Sequence, residues 1–194
     1  LDKKSSYVAI SYNTATFDDL KGFMLAEGVQ VKRQEPADFA QQYDIETSYI
    51  NLVVTDSAER KYVSDLLDRE KLKRFSYIHS SSVISGTVEP GCFIYPCVVL
   101  YAGSAISCDV IVHASCAIGH RCFIGQGSFF SGAVVIGGSS IIGKFNKYMI
   151  GSIVHDKVSI CDNVTIGANS VVRKNITEPG VYSSLQKFKK ISTR

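Results

Sequence analysis

Four histidines and six cysteines are the side chains of this 194-residue chain that exchange protons or attack carbonyl carbon near neutral pH. Transfer of an acyl group to an amine or hydroxyl needs a group that removes the acceptor's proton, and imidazole is best matched to that task. His120 stands two positions after Ile118, His113 lies seven residues earlier, and His155 is followed directly by Asp156. His79 stands apart from these. Residue type alone leaves each of them open, as catalyst or as bystander. Cys122 is a competing nucleophile, but no cysteine spacing matches a zinc motif, so no metal site is expected. The stretch Ser11-Tyr12-Asn13-Thr14-Ala15-Thr16 lies where a nucleotide would be held, yet it has no glycine. Phosphate-cradling loops use glycine to bring backbone N–H groups close to the ligand.

The elements that must position these residues are set by a six-residue period. From Val88 to Val172 an aliphatic position recurs every six residues without insertion, as in Ile106, Val112, Ile118 and Ile124; Phe130 and Tyr148 are the exceptions. Four residues after each comes a residue that is nearly always small or β-branched, including Cys92, Cys116 and Cys122. Both sets point inward, and six residues make one short strand and one corner. Such a period fits a parallel β-helix with three hexads per coil, a triangular prism in which equivalent residues stack eighteen positions apart. Glycine follows the aliphatic position at Gly119, Gly125, Gly137, Gly143 and Gly167, where a turning chain gains from dihedral tolerance. His120 then faces outward on a corner, His113 lies one corner earlier, and His155 lies two coils on, too far for a dyad. Cys122 points inward, and the inward cysteines pack as small hydrophobes.

Ahead of the prism the pattern alternates strand and helix. Tyr7 to Ile10, Val29 to Val31, Tyr49 to Val54 and Phe75 to Ile78 read as strands. Phe17, Leu20, Phe23 and Met24 fall at helical spacing, with Thr16 and Asp19 as a capping pair and Gly28 as the stop. Pro36 opens a short helix with Phe39, and Asp56 with Glu59 caps a third, with Val63, Leu66 and Leu67 on its inner face. This is a small parallel α/β domain whose ligand crevice lies beyond its strand ends. The expected organisation is an α/β domain over 1–78, a β-helix over 79–180 and a capping segment over 181–194, in which Leu185, Phe188 and Ile191 cover the end of the solenoid.

An apolar content of 45% with 20% charged residues is that of a globular protein, and no apolar run reaches membrane-spanning length. The first residues lack a secretory pattern, so a cytoplasmic location is expected. The net charge of +3 hides an asymmetry: from Lys144 onward nine basic residues face three acidic, and before it twelve face fifteen. A basic C-terminal part attracts a polyphosphate ligand or is a solvated surface. Aromatic interleaving that would favour nucleic acid is missing.

The segment Ser115-Cys116-Ala117-Ile118-Gly119-His120-Arg121-Cys122-Phe123-Ile124-Gly125, followed by Ser131, Ile142-Gly143-Lys144 and Cys161 to Ala168, resembles the bacterial nucleotide-sugar N-acetyltransferases. That group includes the bacillosamine-pathway enzyme and sialic-acid O-acetyltransferase relatives, and the resemblance covers essentially the whole chain. It implies a left-handed prism, a homotrimer, and acetyl-CoA bound in the groove between neighbouring prisms. It also implies His120 as the catalytic base, cofactor contacts at Phe129, Ile150 and Ala168, and a nucleotide-sugar loop at Ser11, Tyr12 and Asn13. His113 and Arg121 are implied substrate contacts, with Arg121 standing where the family carries an acidic residue. The expected activity is acetylation of the amino group of a nucleotide-linked deoxyamino sugar, with backbone N–H groups at the corners holding the oxyanion. An O-acetyltransferase and a non-catalytic scaffold are the alternatives. A metal enzyme of the γ-carbonic-anhydrase kind shares the prism, but the spacing of His113, His120 and His155 does not suit it.

Overall fold

The computed structural model describes residues 6–11, 14–52 and 56–184, and within them the chain forms a parallel α/β sheet docked on one face of a three-sided prism. Tyr12, Asn13, Leu185, Phe188 and Ile191 lie outside the described residues. Strand β1 (Tyr7–Ile10) leads to helix α1 (Thr14–Ala26), then β2 (Lys32–Gln34), α2 (Pro36–Gln41), β3 (Ser48–Asn51), α3 (Ser57–Arg69) and β4 (Lys73–Arg74). The four strands are parallel in the order β2-β1-β3-β4. The chain's direction across the sheet reverses between β1 and β3, and ligands of such sheets bind in the crevice outside that point.

Local chemistry fixes the ends of these elements. Asp56 Oδ1 accepts from the N–H groups of Ala58 and Glu59 at 2.7 and 3.1 Å, capping α3 as its sequence implies. Helix α1 starts two residues before the Thr16 expected to cap it; Thr16 is buried, and Asp19 accepts the Tyr95 hydroxyl at 3.0 Å instead. Gly28 does end α1, at φ 75°, with Gly28 N–H to Leu25 O and Val29 N–H to Met24 O both at 2.9 Å. That last bond consumes the amide of Val29, so the second strand falls on Lys32–Gln34 and not on Val29–Val31. Likewise the fourth strand is Lys73–Arg74, and Tyr77–Ile78 already pairs with Phe93–Ile94 as the first rung of the prism.

The prism has a docking face of seven strands, a second face of six and a third face of five. Its strands stack in parallel at an eighteen-residue interval, as in Ile106↔Ile124 and Ile124↔Ile142, and Leu100, Ile106, Ile118 and Ile124 are fully buried. The small inward residues also close the coils. The hydroxyls of Ser104 and Ser128 donate to Gly119 O and Gly143 O, and the thiols of Cys92, Cys116 and Cys122 donate to Ser107 O, Ser131 O and Gly137 O at 3.0–3.2 Å. The inward cysteines are thus hydrogen-bond donors to a carbonyl fifteen residues on, beyond their role as small hydrophobes. All six cysteines are free, and burial pushes the Cys116 thiol up to about 11 and raises that of Cys122.

The corner glycines have a different cause from the expected one. Positive φ falls on the third corner residue, at Asp109, Ser115, Arg121, Ala133, Ser139 and their equivalents. The glycines at the first corner position are there for close approach: a Cβ on Gly119 would lie 2.7 Å from Gly138 N, and one on Gly125 would lie 2.6 Å from Gly143 C.

The α/β domain is held to the docking face by an apolar layer and a buried ion pair. Phe93, Tyr95, Ile111 and Phe129 of the prism share one core with Leu20, Met24, Ile50 and Leu52. Arg74 grips the fully buried Asp109 with two bonds, Nε–Oδ1 at 2.8 Å and Nη2–Oδ2 at 3.0 Å, and also reaches Asp68.

Candidate active site

The residues expected to form one site fall on three separate parts of the chain. His120 and Arg121 occupy the edge between the second and third faces, in the corner that follows Ala117–Ile118. His113 occupies the edge between the docking and second faces, as do Ile150 and Ala168 one and two corners further down the prism from Ser131. Ser11 is buried at the end of β1, its N–H donating to Gln34 O at 3.0 Å. In a triangular prism the edge bearing His120 is the one opposite the docking face.

The His120 imidazole sits against the backbone of Gly138. A Cβ placed on Gly138 would meet the ring's Cε1, Nε2 and Nδ1 at 2.6, 2.7 and 3.1 Å. The ledge beneath is fastened by its own bonds: Gly138 N–H donates to Asp156 Oδ1 at 2.7 Å, and Ser139 N–H to His120 O at 2.7 Å. Arg121 turns the other way, its Cγ 3.2 Å from where a Cβ of Gly103 would be, so the two neighbours project over successive coils in opposite directions. His120 remains exposed, and among the described residues no hydrogen bond to its ring nitrogens is formed. His155 stays on the same edge as His120, separated from its ring by the Gly138 coil. The amides of Gly119, Arg121, Gly137, Gly138 and Ser139 are all bonded within the prism, so these corner N–H groups do not form the expected oxyanion hole. Cys122 is inward and buried, its thiol bonded to Gly137 O and held protonated by desolvation, which is unsuited to a nucleophile.

His113 is built into the seam with the α/β domain. Its ring stacks on Tyr95 at 4.2 Å with 19° between planes, meets Phe129 edge-on at 5.2 Å, and has a buried Nε2 that bonds to no described residue. Burial pulls its pKa below the ordinary histidine value, with Asp19 opposing. Tyr95 in turn donates to Asp19, which ties this imidazole to helix α1. Phe129, expected at the cofactor, is buried in the same seam at 7% exposure, whereas Ile150 is open to solvent at 56%. The Gly138 ledge, the Asp156 that fastens it and the Tyr95–Asp19 pair were not foreseen; the adjacent Gly137-Gly138 was the visible trace of the ledge. Among the described residues no group of three metal-ligating side chains is assembled.

The chain is similar over nearly its whole length to solved structures. The acetyltransferase domain of PglB from Neisseria gonorrhoeae FA1090 matches with a TM-score of 0.81 at 15% identity, over 91% of this chain and 96% of that one. A variant of perosamine N-acetyltransferase from Caulobacter crescentus, solved in complex with CoA and GDP-perosamine, matches with a TM-score of 0.76 at 17% identity, over 89% and 90%. The fold is therefore an N-terminal α/β domain on a left-handed parallel β-helix. In sequence, 66 residues are 39% identical to UDP-3-O-acylglucosamine N-acyltransferase of Janthinobacterium sp. (strain Marseille), covering 34% of this chain and 19% of that protein. The corresponding protein of Herminiimonas arsenicoxydans is 38% identical over 66 residues and is likewise spanned over 19% of its length. No family model matches the chain.

Proposed function

We propose that this chain is an acetyl-CoA-dependent acetyltransferase that acts on the amino group of a nucleotide-linked deoxyamino sugar. The observation that carries the reading is the His120 imidazole, seated on the Gly138 ledge at an open prism edge, in a fold that also offers a parallel-sheet crevice on its opposite face. Whole-length likeness to two N-acetylating or acetyltransferase structures, one holding CoA and GDP-perosamine, supports the same reading.

The separation of His120 from the crevice implies that neighbouring chains complete each site, and we infer a homotrimer. Both faces that flank His120 carry apolar side chains in the open: Val135 and Ile153 on the second are 40% and 39% exposed, and Phe123 and Ile141 on the third are 47% and 55% exposed. Three-fold packing with the second face turned to the axis buries Val135 and Ile153 and sets the His120 edge of one prism against the Ile150–Ala168 edge of the next. Acetyl-CoA lies in that groove as co-substrate. His113 and Ser11 are assigned to the nucleotide-sugar side, together with Tyr12 and Asn13. Since its substrates are products of cytoplasmic metabolism, the chain is assigned to the cytoplasm; among the described residues no helix is long and apolar enough to cross a membrane.

In the reaction the amine nitrogen attacks the thioester carbon while His120 accepts the amine proton. The tetrahedral oxyanion collapses, the C–S bond breaks, and the thiolate of CoA leaves and is protonated. The activated thioester makes a covalent enzyme intermediate unnecessary. A hydroxyl acceptor would use the same base, which keeps sugar O-acetylation as the second reading. The test is thiol release from acetyl-CoA over a panel of UDP-, dTDP- and GDP-linked amino sugars, with product mass distinguishing N- from O-acetylation. Turnover on one amino sugar is expected; no release on any of them contradicts the assignment.

A further inference from the structure

We propose that Asp156 is a positioning residue for His120: its carboxylate holds the backbone of Gly138 from the coil below, and that backbone seats the imidazole above it. This deepens the function proposed above and rests on it for the identity of His120 as the base.

His120, Gly138 and Asp156 stand in successive coils on one prism edge, each in the corner after a strand of the second face. Asp156 Oδ1 accepts the Gly138 N–H at 2.7 Å, and Lys157 N–H donates to Gly138 O at 2.9 Å. The lower coil thus holds both polar groups of Gly138. The bond to Asp156 and the seat of the ring each depend on a missing side chain. A Cβ on Gly137 would lie 2.5 Å from Asp156 Oδ1, and a Cβ on Gly138 would lie 2.6 Å from His120 Cε1. Neither glycine has a positive φ, so what they provide is space. Gly137 admits the carboxylate from below, and Gly138 admits the imidazole from above. Since no hydrogen bond to the ring nitrogens of His120 is formed among the described residues, the contact with Gly138 is what orients the ring, and Gly138 is itself placed by Asp156 and Lys157.

A second bracket of the same kind shows what the aspartate does for the fold alone. At the edge between the third and docking faces, Asp162 Oδ1 accepts the Lys144 N–H at 2.7 Å, and Asn163 N–H donates to Lys144 O at 2.9 Å. A Cβ on Gly143 would run into Asp162 Oδ1, so Gly143 repeats the part of Gly137. Gly138 has no counterpart there. Lys144 carries a side chain, and Gln126, which occupies the place of His120 one coil up, turns away to Asp68 Oδ2 at 3.2 Å. An aspartate beneath a corner is therefore a means of stacking coils, and of the two brackets the one at His120 has the second glycine that passes the bond on to a side chain able to take a proton. A general base must meet its proton in the right geometry, and a displacement of about 1 Å can cost about a hundredfold in rate. Fixing the height of the ledge fixes the ring.

Steady-state kinetics and the imidazole NMR spectrum of the full chain test this role in Asp156→Ala, Asp156→Asn and the control Asp162→Ala. Asparagine keeps an oxygen that accepts the Gly138 N–H, and alanine keeps none. On the best amino-sugar acceptor, Asp156→Ala should lower kcat at least about tenfold and leave both KM values within about twofold, because a misplaced base weakens the transition state and not the binding of either substrate. Asp156→Asn should retain most of the parent's kcat, and Asp162→Ala all of it. The His120 ring signals, assigned by their loss in His120→Ala, should move in Asp156→Ala and stay in place in the other two. Melting temperatures of the two alanine variants should fall alike, since each loses one bond to a backbone N–H. Parent-like kcat in Asp156→Ala, an equal loss in Asp162→Ala, no recovery in Asp156→Asn, unmoved ring signals, or unfolding of Asp156→Ala alone overturns the positioning role. The two proposals fail separately. A parent that transfers no acetyl group to any acceptor removes the reaction, and the ring signals still decide whether Asp156 places the ring; equal rates in the parent and Asp156→Ala remove the positioning role and leave the reaction.

Discussion

At the scale of single residues, the ring of His120 depends on an absence, because it occupies the volume that a side chain at Gly138 would need. Gly138→Ala must push the ring off the ledge, so kcat/KM should fall while the melting temperature changes little; an unaltered rate would show that the ring's seat does not matter. His120→Ala removes the base itself and should lower kcat/KM by roughly 10²–10⁴-fold, the usual worth of a positioned general base. His113 makes a prediction of a different kind. Its folded-state pKa is pulled down by burial, so the unfolded chain takes up the proton first as pH falls. The stability it contributes is present above the unfolded value of about 6.5 and is lost below it, toward the lowered folded value. His113→Phe keeps a ring against Tyr95 and should flatten the melting temperature between pH 7 and 5; an unchanged slope would assign the acid sensitivity elsewhere.

At the scale of elements, the coupling of the two domains rests on Arg74 at the end of β4 reaching Asp109 at a prism corner. Arg74→Ala leaves a fully buried carboxylate without its guanidinium and should cost about 3–5 kcal/mol in denaturant unfolding. A loss below about 1 kcal/mol would mean that the apolar layer holds the domains unaided. The elements also show what a sequence can carry. The prism was legible because its inward residues repeat in one register from Val88 to Val172, and burial against the coil above fixes the same choice each time. The strands of the α/β domain were legible only to within two or three residues, because the helix exit at Val29 and the change of sheet after Arg74 are decided by backbone bonds that leave no periodic trace. The corner glycines were visible but misread: the requirement at Gly119 and Gly125 comes from a neighbouring coil eighteen residues away, which dihedral preference does not reveal.

At the scale of the whole molecule, the expected site residues divide between two opposite sides of the prism, and no local pattern could have shown that. Histidine 120 was placed correctly on an outward corner, but nothing in its hexad says that the sheet crevice lies behind it. The proposed trimer resolves the separation. It should appear in light scattering as a three-chain species, and saturating acetyl-CoA should raise its melting temperature, because a ligand held only by the folded assembly stabilises it. The most direct measurement of the shared site coexpresses in equal amounts two variants impaired on opposite sides of it, His120→Ala and His113→Ala, the latter on the nucleotide-sugar side. If each site takes His120 from one chain and the crevice from another, random trimers keep about a quarter of their sites intact and should show about that fraction of the parent's acetyl transfer. If both parts serve within one chain, no intact site can form, and activity no higher than the sum of the two variants alone would contradict the account.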